Sequence, residues 1–555
     1  MGFLKKFVLP ILLCAALFLL VMSRHKYNPE FTWRSDLWAD PAGYYVYLPA
    51  LFIYNFDTDK LPAHIDSLCG GGFKIDTVNN KLFTKYTCGV AILQSPFFFI
   101  THAISNSSGS YYKGFSGLYQ MVPSFAAVFY CFFGLLFLYK FLEFYFTARL
   151  SVLTTACMFF GTNLYFFTVY GNGASHVYSF ALFSVFLYLT KRITFENQEQ
   201  KNIYLILWSF VAALIILIRP LNLIFLIPAT FIDCYSLSSI RARLNFFLKP
   251  KPVLFLIAAT AITFFPQLLY WKYLSGDWVY YSYQNETFSN WKSPKLGMIL
   301  FSPNNGLLPY NPIYFFIICA LVIMSFKKIK NGLSILLACC LLIYLSASWH
   351  AVAFGCGYGC RNFVEYTALF ALPLGWLFNQ MRSHRIVNYL TGILIVFCVL
   401  VNQKAIYSYD RCFFGTDWDY KEYFLELTRG YYCKKFILKD GGVFNSEKEY
   451  SEAFMIDKYY TLSNFRKARV TSTVKLFDYN TDALIVMEIR DRKDSTLVWK
   501  AVKIKEYVKN TDRLQPVTID FPLPMEYDLH AKFKVYIWNV NKQSFVLKDI
   551  EIELK

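Results

Sequence analysis

Charged side chains are scarce in this sequence: Asp, Glu, Lys and Arg make up 17% of its 555 residues, against about 25% in an ordinary soluble domain. That scarcity excludes the string of three or four soluble domains that length alone would suggest. With 26 glycines and 20 prolines, collagen-like and low-complexity classes are excluded too. No cysteine spacing resembles a zinc site. No A-x-A-like cleavage site follows the first apolar run, where Ser23-Arg24-His25-Lys26 stands, so an uncleaved first span is expected rather than a signal peptide. What the chain has in abundance is apolar: 56% hydrophobic and 20% aromatic residues, with 57 Phe and 42 Tyr. It reads as a polytopic α-helical membrane protein.

The charge is unevenly spread. Residues 1–402 hold 29 basic and 14 acidic side chains, and residues 403–555 hold 26 and 23. The apolar part therefore carries +15 of the net +18. A nucleic-acid partner is not needed to explain this, because basic loops are ordinary on the cytoplasmic side of a membrane. Apolar spans are expected near 1–22, 120–141, 151–169, 176–190, 204–218, 220–233, 253–271, 308–326, 332–347, 363–380 and 386–402, about eleven in all. The apolar run 88–104 contains Gln94, Pro96 and His102 and is read as a juxtamembrane helix, because counting it as a span would invert every later loop. With the N-terminus inside, sixteen Lys and Arg fall in cytoplasmic loops and five in the short outer loops, the bias of the positive-inside rule. An odd count puts the tail outside. The expected location is the inner (cytoplasmic) membrane, with a first outer loop of about 23–119 and a periplasmic C-terminal domain.

The tail is patterned differently. After a linker over 403–452, with helical pieces around Tyr420–Thr428, period-two runs appear at Val470–Phe477, Ala483–Ile489, Leu497–Ile504, Val517–Phe521, Phe533–Trp538 and Ile550–Leu554. Short alternating runs separated by polar turns predict an all-β sandwich over 453–555. Such a sandwich either binds glycans or caps the membrane part, and exposed aromatics would favour the former. Six cysteines lie on the outer side; Cys69–Cys88, Cys356–Cys360 and Cys412–Cys433 are pairings open to them, as are free thiols.

The first outer loop opens with Asp36 and Asp40 just beyond the first span, followed by the aromatic stretch Tyr44-Tyr45-Val46-Tyr47. Carboxylates this close to hydrocarbon are costly, which favours a functional reading; the plain alternative is that Asp40 caps the helix that Pro41 starts. Lys85 lies in Lys81–Gly89, where it is either a partner for a lipid phosphate or a snorkelling anchor. Further polar groups gather at outer span ends: Asn172 and His176, Arg219 with Asn222, Trp349-His350, and Gly355–Glu365 with Arg361 and Glu365. Arg361 and Glu365 are also at the spacing of a plain intrahelical pair. Polar groups convergent over an apolar bundle suit an amphipathic substrate with a charged head.

With these motifs the sequence resembles the GT-C superfamily of polyprenyl-phosphate-sugar-dependent glycosyltransferases, among them the protein O-mannosyltransferases and bacterial aminoarabinose transferases. The resemblance covers about residues 1–400. It rests on a first span followed by Asp40-Pro41-Ala42-Gly43-Tyr44-Tyr45, on Lys85-Tyr86-Thr87-Cys88-Gly89 before a juxtamembrane helix, and on Ala174-Ser175-His176. Ser302-Pro303…Gly306-Leu307 and Phe354-Gly355…Arg361 complete it.

The resemblance implies Asp40, or Asp36 as second candidate, as general base. It implies Lys85, with Arg361, as holder of the donor phosphate, and a substrate pocket drawing on Tyr44, Tyr45, Asn172, Arg219, His350 and Glu365. Many relatives carry a second acidic residue beside Asp40 or at the start of the fourth span; Pro41 and His176 stand there. That turns the expectation away from a divalent metal, with no cofactor certain, and toward a contact of His176 with phosphate or sugar. The implied partners are a polyprenyl-phosphate-linked sugar, a lipid, glycan or protein acceptor, and membrane lipids, with inversion at the anomeric carbon. The rival readings are a transporter or flippase of a lipid-linked substrate, which would need mid-membrane polar groups or inverted repeats, and an inactive scaffold of the same fold.

Overall fold

The computed structural model describes residues 2–25, 30–31, 35–76, 79–105, 111–195, 198–284, 286–355, 357–381 and 385–409. Beyond these it describes positions 420, 423, 424 and 427, and residues 435–438, 442–456, 465, 467–491, 493–511, 513–524 and 531–554. Cys356, Cys412, Cys433 and most of the expected helical pieces around Tyr420–Thr428 lie outside the described residues. The chain divides into two compact units, Met1–Leu427 and Thr428–Lys555.

The first unit is helical. Helix α1 (Gly2–His25) leads into a loop that folds as α2 (Asp40–Tyr45), α3 (Tyr47–Phe52), α4 (Ile65–Leu68), the hairpin of β1 (Lys74–Asp76) and β2 (Lys81–Phe83), and α5 (Gly89–Ser105), a helix over the apolar run 88–104. Then come α6 (Val122–Leu142), α7 (Ala148–Phe160), α8 (Leu164–Val169), α9 (His176–Phe195), α10 (Gln198–Ile218), α11 (Leu223–Thr230) and α12 (Leu237–Phe247). The unit continues with α13 (Pro250–Ser275), α14 (Leu296–Phe301), α15 (Leu307–Tyr310), α16 (Ile313–Phe326), α17 (Gly332–Ser348), α18 (Thr367–Gln380) and α19 (Arg385–Ser408).

Helix stands at each of the eleven places where the sequence shows an apolar span. Among the described residues, four stretches are long and apolar enough to cross a membrane: Gly117–Leu142, Lys201–Ile218, Pro250–Ser275 and Asn388–Tyr407. The outward faces explain the composition. Leu254, Ile257, Ile262, Phe265 and Leu269 of α13 are exposed, as are Leu390, Ile393, Leu394, Phe397 and Leu400 of α19. An apolar surface this continuous is a liability in water and the ordinary exterior of a helix in lipid. The unit is built as an integral membrane protein.

The span expected over 151–169 is broken at Gly161-Thr162-Asn163, between α7 and α8. The break has a use. The Asn163 side chain donates to the carbonyls of Tyr358 (3.3 Å) and Cys360 (3.2 Å), and so pins the loop that carries Arg361. Cys69 and Cys88 are free thiols buried in separate apolar clusters, so the Cys69–Cys88 pairing does not form. Cys360 is also free and buried.

The second unit is an antiparallel sandwich. Its strands are β3 (Lys435–Leu438), β4 (Gly442–Phe444), β5 (Phe454–Ile456), β6 (Lys467–Leu476), β7 (Ala483–Arg490), β8 (Thr496–Lys503), β9 (Gln515–Pro522), β10 (Lys532–Asn539) and β11 (Phe545–Leu554). One sheet runs β5-β10-β7-β8, the other β3-β11-β6-β9 with β4 also on β11. The two inner faces share one core, with Val470 and Val474 of β6, Ile485 and Ile489 of β7, and Val535 and Ile537 of β10. All six period-two runs are strands. β3 and β4 fall in the stretch read as linker, because three or four residues are too few to display a period. Outward-facing aromatics are present: Tyr450 stacks on Trp538 at 5.9 Å, and Trp499 is exposed.

Candidate active site

The loop after α1 is turned inward by buried polar contacts. Asp36 accepts from His25 Nδ1 at 2.6 Å and from the Ser124 hydroxyl at 2.8 Å. Asn172 in turn donates to Ser124 Oγ at 2.7 Å. Three residues on, Ala39 adopts φ 53° and ψ −126°, a conformation that L-residues rarely take. Its N–H donates to the Cys69 carbonyl (2.8 Å), and its own carbonyl accepts from Gly43 N (3.1 Å). The turn throws Asp40 to the start of α2. No side chain caps that helix. The Asp40 carboxylate instead accepts from Tyr86 Oη at 2.5 Å and pairs with Arg361 Nη1 at 3.3 Å. The capping alternative therefore fails.

Asp40 opens into a cavity of about 400 Å³, shared with Asp36, Lys85, Asn172, Glu286, His350 and Arg361 and walled by Trp38, Phe166, Phe167, Tyr170, Trp349 and Phe354. Its side chain keeps 37% exposure there. Burial pushes the Asp40 carboxyl up, but the Arg361 guanidinium, the Tyr86 hydrogen bond and the Lys85 charge together pull it below its ordinary value. The group is a carboxylate at neutral pH.

Lys85 Nζ lies 2.6 Å from Glu286 Oε1, each side chain 32% exposed. Arg361 has a second feature: its Nε is buried with no hydrogen-bond partner among the described residues. A buried donor of that kind ordinarily has a partner, and this one belongs to a residue that lines the cavity. Tyr44 packs against Tyr86 with ring centroids 4.2 Å apart and planes tilted by 35°, and donates to Ser175 Oγ at 3.1 Å. It thereby fixes the phenol that holds Asp40.

His176, Arg219 and Glu365 form a buried group outside the cavity lining. His176 Nδ1 is 2.8 Å from Glu365 Oε2, and Arg219 Nη1 is 3.0 Å from Glu365 Oε1. Arg219 Nη2 also donates to Asn362 Oδ1 at 3.1 Å, beside Arg361 in sequence. Tyr45 is buried in the core of the loop, its hydroxyl donating to the Gly114 carbonyl at 2.8 Å. The structure thus brings Asp40, Asp36, Lys85, Arg361, Asn172 and His350 to one cavity. Tyr44, His176, Arg219, Glu365 and Tyr45 do not line it.

Two residues with evident parts in this arrangement, Tyr86 and Glu286, were not among those picked out from the sequence. Tyr86 adjoins Lys85, and a phenol beside a candidate cation is the signal that could have found it. Glu286 lies in a polar segment 201 residues from Lys85, and nothing local marks it. Around Asp40 the residues do not fit a divalent cation. Its two oxygens face a phenol and a guanidinium, and among the described residues no three His, Cys, Asp or Glu side chains gather as metal ligands would.

No protein-family model matches the chain, and no curated protein matches it. The solved structures similar to it include two transferases. One is the oligosaccharyltransferase of Archaeoglobus fulgidus in its apo form, at 13% identity and a TM-score of 0.43 over 78% of this chain and 61% of that one. The other is the arabinosyltransferase EmbB from Mycobacterium smegmatis, at 10% identity and a TM-score of 0.32 over 92% of this chain and 62% of that one. The chain spans about three fifths of the length of each.

Proposed function

We propose that the chain is a membrane glycosyltransferase that moves a sugar from a polyprenyl-phosphate donor to an extracytoplasmic lipid, glycan or protein acceptor, inverting the anomeric centre. The observation that carries the reading is the Asp40 carboxylate held by Tyr86 and Arg361 in a cavity that Lys85 also lines. Transfer needs a group to take the acceptor hydroxyl's proton and a positive charge on the leaving phosphate. Asp40 takes the proton. Lys85 exchanges Glu286 for the donor phosphate, and the unpartnered Arg361 Nε offers a second donor to it. The acceptor oxygen forms its bond to the anomeric carbon from the side opposite the departing phosphate.

His176, Arg219 and Glu365 are positioning residues in this reading. Through Asn362 they fix the segment that presents Arg361. The aromatics Phe166, Phe167, Trp349 and Phe354 supply the apolar wall that a prenyl chain or sugar face would meet. The outward aromatics of the sandwich are of the kind that favours glycan contact.

The test is Asp40→Asn in the full chain reconstituted into membranes with polyprenyl-phosphate sugars. The amide keeps shape and cannot accept the proton. Transfer should fall by about 10²–10⁴-fold, the usual worth of general acid–base catalysis, with folding retained. Full activity in that variant would falsify the assignment.

A further inference from the structure

Helix α9 joins two polar sites. His176, near the Asp40 cavity, is its first residue, and Lys191 lies fifteen residues on, roughly 22 Å along the axis at 1.5 Å per residue. At this far end is a second cavity of about 620 Å³, lined among others by Tyr145, Lys191, Lys201, Asp233, Arg243 and Lys330. Four cations face one carboxylate, and that carboxylate is already engaged. Asp233 accepts from Lys191 at 2.5 Å, from Asn331 at 2.9 Å and from the Tyr145 hydroxyl at 2.9 Å. Arg243 is engaged as well, donating to the Thr230 carbonyl at the end of α11 at 3.0 Å.

Lys201 and Lys330 are different. Each sits against a ring, Lys201 at 4.9 Å from the centroid of Phe246 and Lys330 at 4.6 Å from that of Tyr235. Neither has a carboxylate within ion-pair distance among the described residues. Two uncompensated ammonium groups on one recess focus a positive field that attracts an anion.

The wall of the recess says what kind. It includes α12, which starts at a Ser236–Ser239 capping box and buries no residue. Leu237, Leu244 and the following Leu248 are exposed on it, while Arg241 and Arg243 lie between them in sequence. An amphipathic helix of this kind lies at headgroup depth, its apolar side in the acyl boundary. From Lys201, the exposed Ile203 and Leu207 of α10 offer an apolar track.

We propose that this recess binds the phosphate of an anionic phospholipid, at the membrane face that the charge bias assigns to the cytoplasm. Lys201 and Lys330 hold the phosphate, and the acyl chains run along α10. A zwitterionic lipid carries its own ammonium group and leaves the two lysine charges uncompensated.

The test uses the purified, delipidated full chain. Dioleoylphosphatidylglycerol, dioleoylphosphatidylcholine and inorganic phosphate are titrated separately, with bound species counted by native mass spectrometry. Phosphatidylglycerol should bind more tightly than either of the others. K201Q/K330Q should weaken it about thirtyfold, at roughly 1 kcal/mol per basic residue near a membrane surface. K201R/K330R, which keeps both charges, should bind as the wild type does. Equal binding of the two lipids, or no change in K201Q/K330Q, overturns the proposal. Inorganic phosphate binding as tightly as phosphatidylglycerol identifies a soluble ligand and overturns the lipid assignment.

Discussion

A carboxylate held below its ordinary pKa is a weak base, and that sets how Asp40 can work. As the proposed general base it takes a proton from an acceptor hydroxyl only when that oxygen has become acidic, that is, once its bond to the anomeric carbon is largely formed. The same ion pair fixes the pH dependence. In that proposed role Asp40 acts in its ionised form, and its pKa is depressed, so that form persists as pH falls until below the ordinary aspartate range. Arg361 is the largest of the groups that lower it, opposing burial. Arg361→Ala should therefore shift the acid limb of kcat/KM toward neutral pH; a limb that stays in place would show that another group sets it. Asp40, Lys85 and Arg361 were legible because acids and bases next to long apolar runs are conspicuous. Their partners were less so. The pairing of Lys85 with Glu286 spans 201 residues and that of His176 with Glu365 spans 189, distances over which one sequence carries no local signal.

At the scale of elements, the short α2 matters most, because it aims Asp40. Its approach is held by close backbone contact. A Cβ on Gly72 would lie 1.9 Å from the Ala39 carbonyl oxygen and 2.9 Å from Gly43 N. A methyl group there must push the Ala39 turn, and Asp40 with it. Gly72→Ala should lower kcat by about 10²-fold, the cost of a displacement near 1 Å at a reacting group. Gly297→Ala in α14, with open space around its Cβ position, is the matched control and should leave kcat unchanged. Retained activity in Gly72→Ala would mean that the turn relaxes without moving Asp40. Long helices were readable from hydropathy, and the longer strands of the sandwich from alternation. The break at Gly161–Asn163 was not, because Thr and Asn interrupt an apolar run too briefly to change its average. Tertiary hydrogen bonds from Asn163 to the Arg361 loop decide it.

At the scale of the whole molecule, the two units solve the burial problem in opposite ways. The sandwich hides Val535 and Ile537 and shows charge to water, as its ion pairs of Asp520 with Lys467 and Arg469 illustrate. The helical unit leaves Phe397 and its neighbours exposed in the middle of α19. One substitution separates these environments. In water, replacing an exposed side chain by arginine is ordinarily worth no more than about 0.5 kcal/mol either way. Near the centre of a membrane-spanning helix the same change costs about 2.5–3.5 kcal/mol on insertion scales. Phe397→Arg should therefore cut membrane insertion and lower thermal stability in nanodiscs. Val443→Arg, on the exposed face of β4, should be close to neutral in both measurements. If Phe397→Arg were equally neutral, the apolar belt of α19 would not face lipid. An uncovered Phe397 in water would then be a sticky surface, and the scarcity of charge in the first 402 residues would have no physical cause.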